Sequence, residues 1–186
     1  SYGGCKVGNG DVAIGAAASI AEYNGVARAS HIKDKIVEMN HLNETLFACG
    51  IACSANGTKL PAGNFFVDAL LANVCKQNVT RLPYEIARIL QDIAGGLMVT
   101  LPSARDWLNP QTGELLAKYL AGADGTSTYE RVRMLRLIEN LTMGRGAVAY
   151  LTESMHGAGS PQAQRVLISR LANVEEKKVY ARSLAL

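Results

Sequence analysis

The sequence predicts an all-α fold, an antiparallel helix bundle, and three observations predict it. Apolar residues recur at i, i+3, i+4 and i+7 over several long segments, and clusters of Gly, Pro and Asn separate those segments. No stretch alternates apolar and polar residues for long enough to read as a strand, and there is no internal repeat or low-complexity tract. At 186 residues the chain is long enough for one domain with its own core.

The elements follow in order. SYGGCKVGNG reads as a glycine-flanked loop; Asp11 then serves as the N-cap of an Ala-rich helix through Glu22 that Gly25 stops. From Ser30 to about Ser54, the residues Ile32, Ile36, Met39, Leu42, Leu46, Cys49 and Cys53 form one apolar stripe of a long helix. NGTKLPAGN is a loop, and Val67, Leu70, Leu71 and Val74 mark a third helix. Pro83 interrupts that helix or begins another, which runs through YEIARILQDIA to Gly95-Gly96. Leu101 to Pro110, with the sole Trp107, reads as loop, and GELLAKYLAG as a short helix or lid. Ser127 and Glu130 make a capping box for a helix with the stripe Met134, Leu137, Ile138 and Leu141. A Gly-rich turn, HGAGSPQAQ, leads to a last helix beginning near Pro161.

Composition excludes more than it selects. A net charge of +3 with interspersed signs, and 6% aromatics, give neither an electrostatic footprint for nucleic acid nor stacking platforms. The longest apolar runs, such as VAIGAAASIA, are half of the roughly 20 residues that a membrane span requires. Four cysteines with no apolar leading segment fit a reducing compartment, so the expected location is cytoplasmic. The first residue is not Met and distinctive residues crowd the start, which points to part of a longer polypeptide.

Several constellations can carry chemistry. Cys49 and Cys53, at i and i+4, can meet one ion, but they share a stripe with Leu42 and Leu46, where a thiol behaves as a small hydrophobe; packing is the better reading of the spacing. His31 and His41 read as surface or capping residues, and Cys75 as a helix residue. Cys5 sits among glycines that permit close backbone approach, and Lys6 beside it can depress a thiol pKa. Glu153 and His156 lie where a helix gives way to a Gly-rich turn, a geometry that aims a base as readily as it ends a helix. Gln91 with Gly95 and Gly96 is either a helix terminator or a place where a pyrophosphate can approach the backbone.

Taken together, SYGGCKVG, HLNETLFACGIACSANG, LLANVCKQNVTRLPYEIARILQDIAGGLMVTLPS and YLTESMHGAGSPQAQR resemble the C-terminal helical domain of the 4-hydroxybutyryl-CoA dehydratase/vinylacetyl-CoA Δ-isomerase family. That family falls within the 4-hydroxyphenylacetate 3-hydroxylase-like flavoproteins. The resemblance covers nearly the whole chain and is poor only from about Arg105 to Ser127. It implies the acyl-CoA dehydrogenase type of C-terminal bundle, assembly as a homotetramer, FAD, and a 4Fe-4S cluster held by three cysteines and one histidine. By the motif, Cys5 is a cluster ligand; the histidine stands upstream of the first residue. The other two cysteines belong to a Cys-x3-Cys pair in the family's N-terminal half, which Cys49 and Cys53 resemble in spacing without being it. Tyr2 matches a tyrosine close to cluster and substrate, and Glu153 an acid/base residue. Gln91, Asp92, Gly95 and Gly96 match an element that contacts the FAD diphosphate of a neighbouring subunit.

The implied reaction converts 4-hydroxybutyryl-CoA to crotonyl-CoA by a radical route and isomerises vinylacetyl-CoA. The substrate is thus a CoA thioester, and this chain alone, lacking the N-terminal portion, is expected to be inactive. A flavin-dependent aromatic monooxygenase domain and a purely structural oligomerisation domain are the alternatives from other classes.

Overall fold

The computed structural model describes residues 2–123 and 125–185, with side chains from Gly4 onward. Five long helices carry the packing: α1 (Tyr2–Tyr23), α2 (Ser30–Ala55), α3 (Ala69–Val79), α4 (Leu82–Ala94) and α7 (Thr128–Thr142). Between α2 and α3 lies a minimal hairpin, β1 (Thr58–Lys59) paired antiparallel with β2 (Phe65–Phe66). A 3₁₀ turn, Gly96–Thr100, follows α4 and leads to α5 (Ala104–Leu108) and α6 (Pro110–Tyr119). After α7 come α8 (Arg145–Ala147), a π-helical segment Val148–Thr152, α9 (Glu153–His156), α10 (Pro161–Leu171) and α11 (Val174–Ala185).

The main core is built where α1, α4 and α7 meet the first half of α2. Ala13, Ala16, Ala17 and Ile20 of α1 lie against Ile86, Leu90 and Ile93 of α4 and Leu135 and Ile138 of α7, with Met39 from α2. The alanines let neighbouring backbones approach closely, so α1 forms the axis of the bundle. A smaller cluster of Leu46, Cys75 and Val79 joins the second half of α2 to α3, with Cys49 packed against it. Cys49 is therefore a packing residue, as its stripe predicts.

Several boundaries differ from the sequence expectation, each for a physical reason. The opening segment is helix, not loop: α1 starts at Tyr2, so Asp11 is no N-cap but a mid-helix residue that accepts a hydrogen bond from Asn43 Nδ2 at 2.8 Å. Glycines weaken helix propensity over that stretch, but at Gly10 the Asn43 side chain of α2 packs against the α1 backbone. A Cβ there would lie 2.1 Å from Asn43 Oδ1. Gly25 does end the turn after α1, at φ +71°. Pro83 opens α4, in the first turn where its missing N–H costs nothing. The region around Trp107 contains α5, set by a reciprocal capping box between Ser103 and Asp106. The capping box of Ser127 and Glu130 stands as expected at α7. The last helix is two: Asn173, at φ +44°, breaks it into α10 and α11. On α3 the buried residues are Cys75, Lys76 and Val79, whereas Leu70, Leu71 and Val74 are only half-buried.

Candidate active site

The segment after α7 is bent tightly by two glycines. A Cβ on Gly144 or Gly146 would lie 2.9 Å from backbone atoms of Asn140, and Asn140 Oδ1 accepts from Gly146 N at 3.2 Å. The chain then enters the π-helical turn, in which the Glu153 N–H donates to Val148 O, five residues back. Such turns insert one residue into a helix and rotate the residues C-terminal to it, and they recur at functional sites. Here the residue delivered is Glu153.

Its partner comes from the other end of the chain. Lys6 is 2% exposed, although its residue type is normally solvated, and its Nζ lies 2.5 Å from Glu153 Oε2. The same ammonium donates to the carbonyl of Ala149 in the π segment. A second buried lysine, Lys76 on α3, donates to Ser154 O at 2.6 Å. Burial, then the nearby Lys6 charge, hold Lys76 below the usual lysine range, while Glu153 pulls the other way. Two cations and one carboxylate thus converge on one helical turn. The Glu153 side chain is 48% exposed, so the carboxylate reaches the surface while both lysine side chains are almost wholly enclosed.

The floor of this turn is polar and tightly held. The Ser154 hydroxyl donates to Tyr150 O, and Tyr150 is itself 1% exposed with its phenol pushed well above the ordinary range by burial and then by Asp11. Beyond His156, which is exposed, the backbone passes through Ala158 at φ +59° and Gly159 at φ +102° before Ser160 caps α10. Gln164, 3% exposed, donates from Nε2 to Ala158 O at 3.3 Å and clamps that strained turn.

A cavity of about 330 Å³ adjoins Lys76, with Gly4, Phe47, Cys53, Val67 and Cys75 among its walls. Cys53 therefore faces a cavity, while Cys75 is pushed up to about 11 by burial and then by its neighbours Cys49 and Cys53. Among the described residues no group of three or more His, Cys, Asp or Glu is arranged to hold a metal ion.

Sequence-derived candidates fall in two places. Cys5 is exposed on α1, one residue from Lys6, and Glu153 is joined to that same turn through Lys6. Lys6 is directed inward to Glu153 and Ala149, a role that the reading of it as a neighbour of the Cys5 thiol did not contain. The side chain of Tyr2 lies outside the described residues. Gln91, Asp92, Gly95 and Gly96 together line a shallow surface depression at the end of α4. Asp92 is paired with Lys35 at 2.7 Å, whose hydrogen bond holds its carboxyl below the ordinary range. Gly95 has φ +77°, and no atom lies within 4 Å of a Cβ built on Gly96, so packing within this chain does not demand glycine at position 96. His31 and His41 are both exposed, as expected.

Sequence reasoning missed Lys76 and the pairing of Lys6. The signal was present: Ala72, Cys75, Lys76 and Val79 share one helical face, as do Lys6, Gly10, Ala13 and Ala17. A lysine inside an apolar or small-residue face needs a buried partner.

The profile of the family described as 4-hydroxyphenylacetate 3-hydroxylase C terminal (HpaB) matches residues 1–185. The chain belongs to this family. It is 58% identical over its whole length to a 4-hydroxybutyryl-CoA dehydratase/vinylacetyl-CoA-Delta-isomerase of Clostridium aminobutyricum, covering 39% of that protein. A solved oxygen-tolerant archaeal 4-hydroxybutyryl-CoA dehydratase from N. maritimus is 64% identical, with TM-score 0.95 over 97% of this chain and 36% of that one. The HpaB oxygenase component of 4-hydroxyphenylacetate 3-monooxygenase, solved with FAD and 4-hydroxyphenylacetate, superposes with TM-score 0.85 at 25% identity, over 96% of this chain and 37% of that one. The resemblance read from the motifs is thus borne out, as is the all-α class. The chain spans somewhat over a third of the length of these relatives. No helix among the described residues is long and apolar enough to cross a membrane.

Proposed function

We propose that this chain is the C-terminal helical domain of an FAD and 4Fe-4S dependent dehydratase that converts 4-hydroxybutyryl-CoA to crotonyl-CoA and isomerises vinylacetyl-CoA. The observation that carries the reading is the Lys6–Glu153 pair. It joins the turn bearing Cys5 to the π-distorted turn bearing Glu153, so a candidate cluster ligand and a candidate acid/base group are held by one ion pair. Identity of 58% to the Clostridium dehydratase/isomerase, against 25% to the FAD-bound monooxygenase, supports this over the monooxygenase alternative.

The residues present fit both groups. Cys5 offers an exposed thiol beside Gly4, where no atom would meet a Cβ, and the remaining cluster ligands would come from outside the described residues. Gln91, Gly95 and Gly96 offer an open backbone surface to the FAD diphosphate, with Asp92 at its edge. When bound, the flavin supplies one-electron chemistry and the cluster a Lewis-acidic iron for the departing hydroxide.

The protein's own part is proton transfer and placement. In a vinylacetyl thioester the C2 proton is acidified by the carbonyl and the neighbouring alkene, and Glu153 is the carboxylate we assign to receive it. Lys6 fixes the direction of that carboxylate by its 2.5 Å contact and balances its charge. A proton returned at C4 completes the isomerisation. Tyr2 is assigned to proton transfer at the hydroxyl. The active assembly is a cytoplasmic homotetramer, in which Gly95 and Gly96, just after α4, serve the flavin of another subunit.

The test is the iron, sulfide and flavin content of the complete protein purified without oxygen, as wild type, Cys5→Ser, and Cys49→Ser with Cys53→Ser. Loss of iron in Cys5→Ser alone, with flavin kept, is the expected result. Iron that is absent from the wild type, or that follows Cys49 and Cys53, would overturn the reading.

A further inference from the structure

Lys76 is a buried cation to which proton transfer by Glu153 assigns no role. It lies on α3, 78 positions before the carbonyl it serves, and it is 7% exposed. Burying an ammonium is costly unless it is paired, and a core position between helices is ordinarily filled at lower cost by Leu or Met. Packing alone therefore does not account for lysine here.

Its hydrogen bond explains more. Ser154 belongs to the short helix α9, whose last carbonyls have no intrahelical partner, and Ser154 is fully buried, so water cannot serve its carbonyl. Lys76 Nζ supplies the donor at 2.6 Å, and a positive charge suits the negative end of a helix. Lys6 donates in turn to the carbonyl of Ala149, inside the π segment. The two anchored carbonyls are five residues apart, one within the π segment and one just beyond it, and Glu153 lies between them. Each lysine reaches in from a different helix, Lys6 from α1 and Lys76 from α3. The turn that presents Glu153 is thus braced on both sides. The lowered basicity of Lys76, with Lys6 and Glu153 both acting on it, agrees with this closeness.

We propose that Lys76 is a positioning residue for Glu153: by tying the Ser154 carbonyl to α3, it fixes the π-distorted turn where Lys6 can hold the Glu153 carboxylate. The role as a determinant of turnover rests on the reading of Glu153 as the acid/base group. The placement of the carboxylate does not.

The experiment uses the complete flavin- and iron-loaded protein as wild type, Lys76→Met, Glu153→Gln and the double variant. Vinylacetyl-CoA isomerisation is followed without oxygen. Lys76→Met is expected to lower kcat about 10- to 100-fold, the usual cost of a misplaced catalytic group, with KM changed less than about 3-fold. In the Glu153→Gln background the same change should cost less than about 3-fold, because the group being positioned is already gone. A second readout needs no turnover. In protein labelled with ¹³C-glutamate, the infrared carboxylate band that Glu153→Gln abolishes should shift in Lys76→Met. An unmoved band, or kcat in Lys76→Met within about 3-fold of wild type where Glu153→Gln itself loses activity, overturns the proposal. A shifted band in a protein without isomerase activity keeps the positioning role and removes the dehydratase reading instead. Should Lys76→Met not fold, Lys76→Gln is read in the same way. Unfolding of both variants assigns Lys76 to the core and overturns the proposal.

Discussion

Replacing Gly10 by alanine gives a sharp test of how α1 and α2 are held together one turn along α1 from Lys6. The new Cβ would lie 2.1 Å from Asn43 Oδ1 and 2.6 Å from its Cγ, so the amide must move. Asn43 is 1% exposed and donates from Nδ2 to Val7 O at 3.2 Å and to Asp11 Oδ1 at 2.8 Å, so moving it breaks both bonds. Each is worth about 1 kcal/mol, overpacking at a close helix contact costs about 1–3, and the gain of alanine over glycine in a helix returns about 1. The net is a destabilisation of roughly 2–4 kcal/mol, a large share of an ordinary domain's stability. The assay is urea unfolding of the 186-residue chain followed by far-ultraviolet circular dichroism. The sign should reverse in an Asn43→Ala background, where the obstacle is gone and Gly10→Ala should stabilise by up to about 1 kcal/mol. Equal effects of Gly10→Ala in both backgrounds would refute the reasoning, because the cost would then not come from Asn43.

Two further outcomes separate structural from ligand roles. Gly96→Ala meets no atom within 4 Å, so the unfolding free energy should match wild type within about 0.5 kcal/mol while the complete protein retains less flavin; equal flavin content would remove Gly96 from the cofactor surface. The Cys75 thiol rises from 9.0 to about 11 on folding, so the folded state keeps a proton that the unfolded state has begun to release. Stability from this source is complete below pH 9 and is lost as pH climbs toward 11, by roughly 2–3 kcal/mol at most. Cys75→Ala should therefore show a shallower alkaline loss of stability than wild type, and identical slopes would contradict the assigned burial.

Periodicity made α2, α4 and α7 readable, because one face of each meets the core and hydrophobic spacing reports that directly. Caps at Ser127 and the stop at Gly25 were legible for the same local reason. The N-terminal turns of α1 were not. Their glycines read as loop, whereas Gly10 is dictated by Asn43, 33 positions away, and no local rule contains that contact. The π turn was hidden similarly, since nothing in VAYLT distinguishes i+5 from i+4 pairing. Within the site, Glu153 and Cys5 could be picked out by motif, but their connection through Lys6 spans 147 positions and exists only in the fold. Lys76 was overlooked because a single charged residue in an apolar helix face is ordinarily assumed to turn outward.

The most direct measurement of the central claim is deuterium transfer during isomerisation of vinylacetyl-CoA in D₂O by the complete protein, wild type against Glu153→Gln, with flavin and iron contents matched. The account predicts that wild type carries solvent deuterium into crotonyl-CoA and that Glu153→Gln slows this by about 10²- to 10⁴-fold, the usual contribution of a general acid/base. Deuterium incorporation at the wild-type rate in Glu153→Gln would contradict it, and would leave the carboxylate that Lys6 holds as an anchor for the fold.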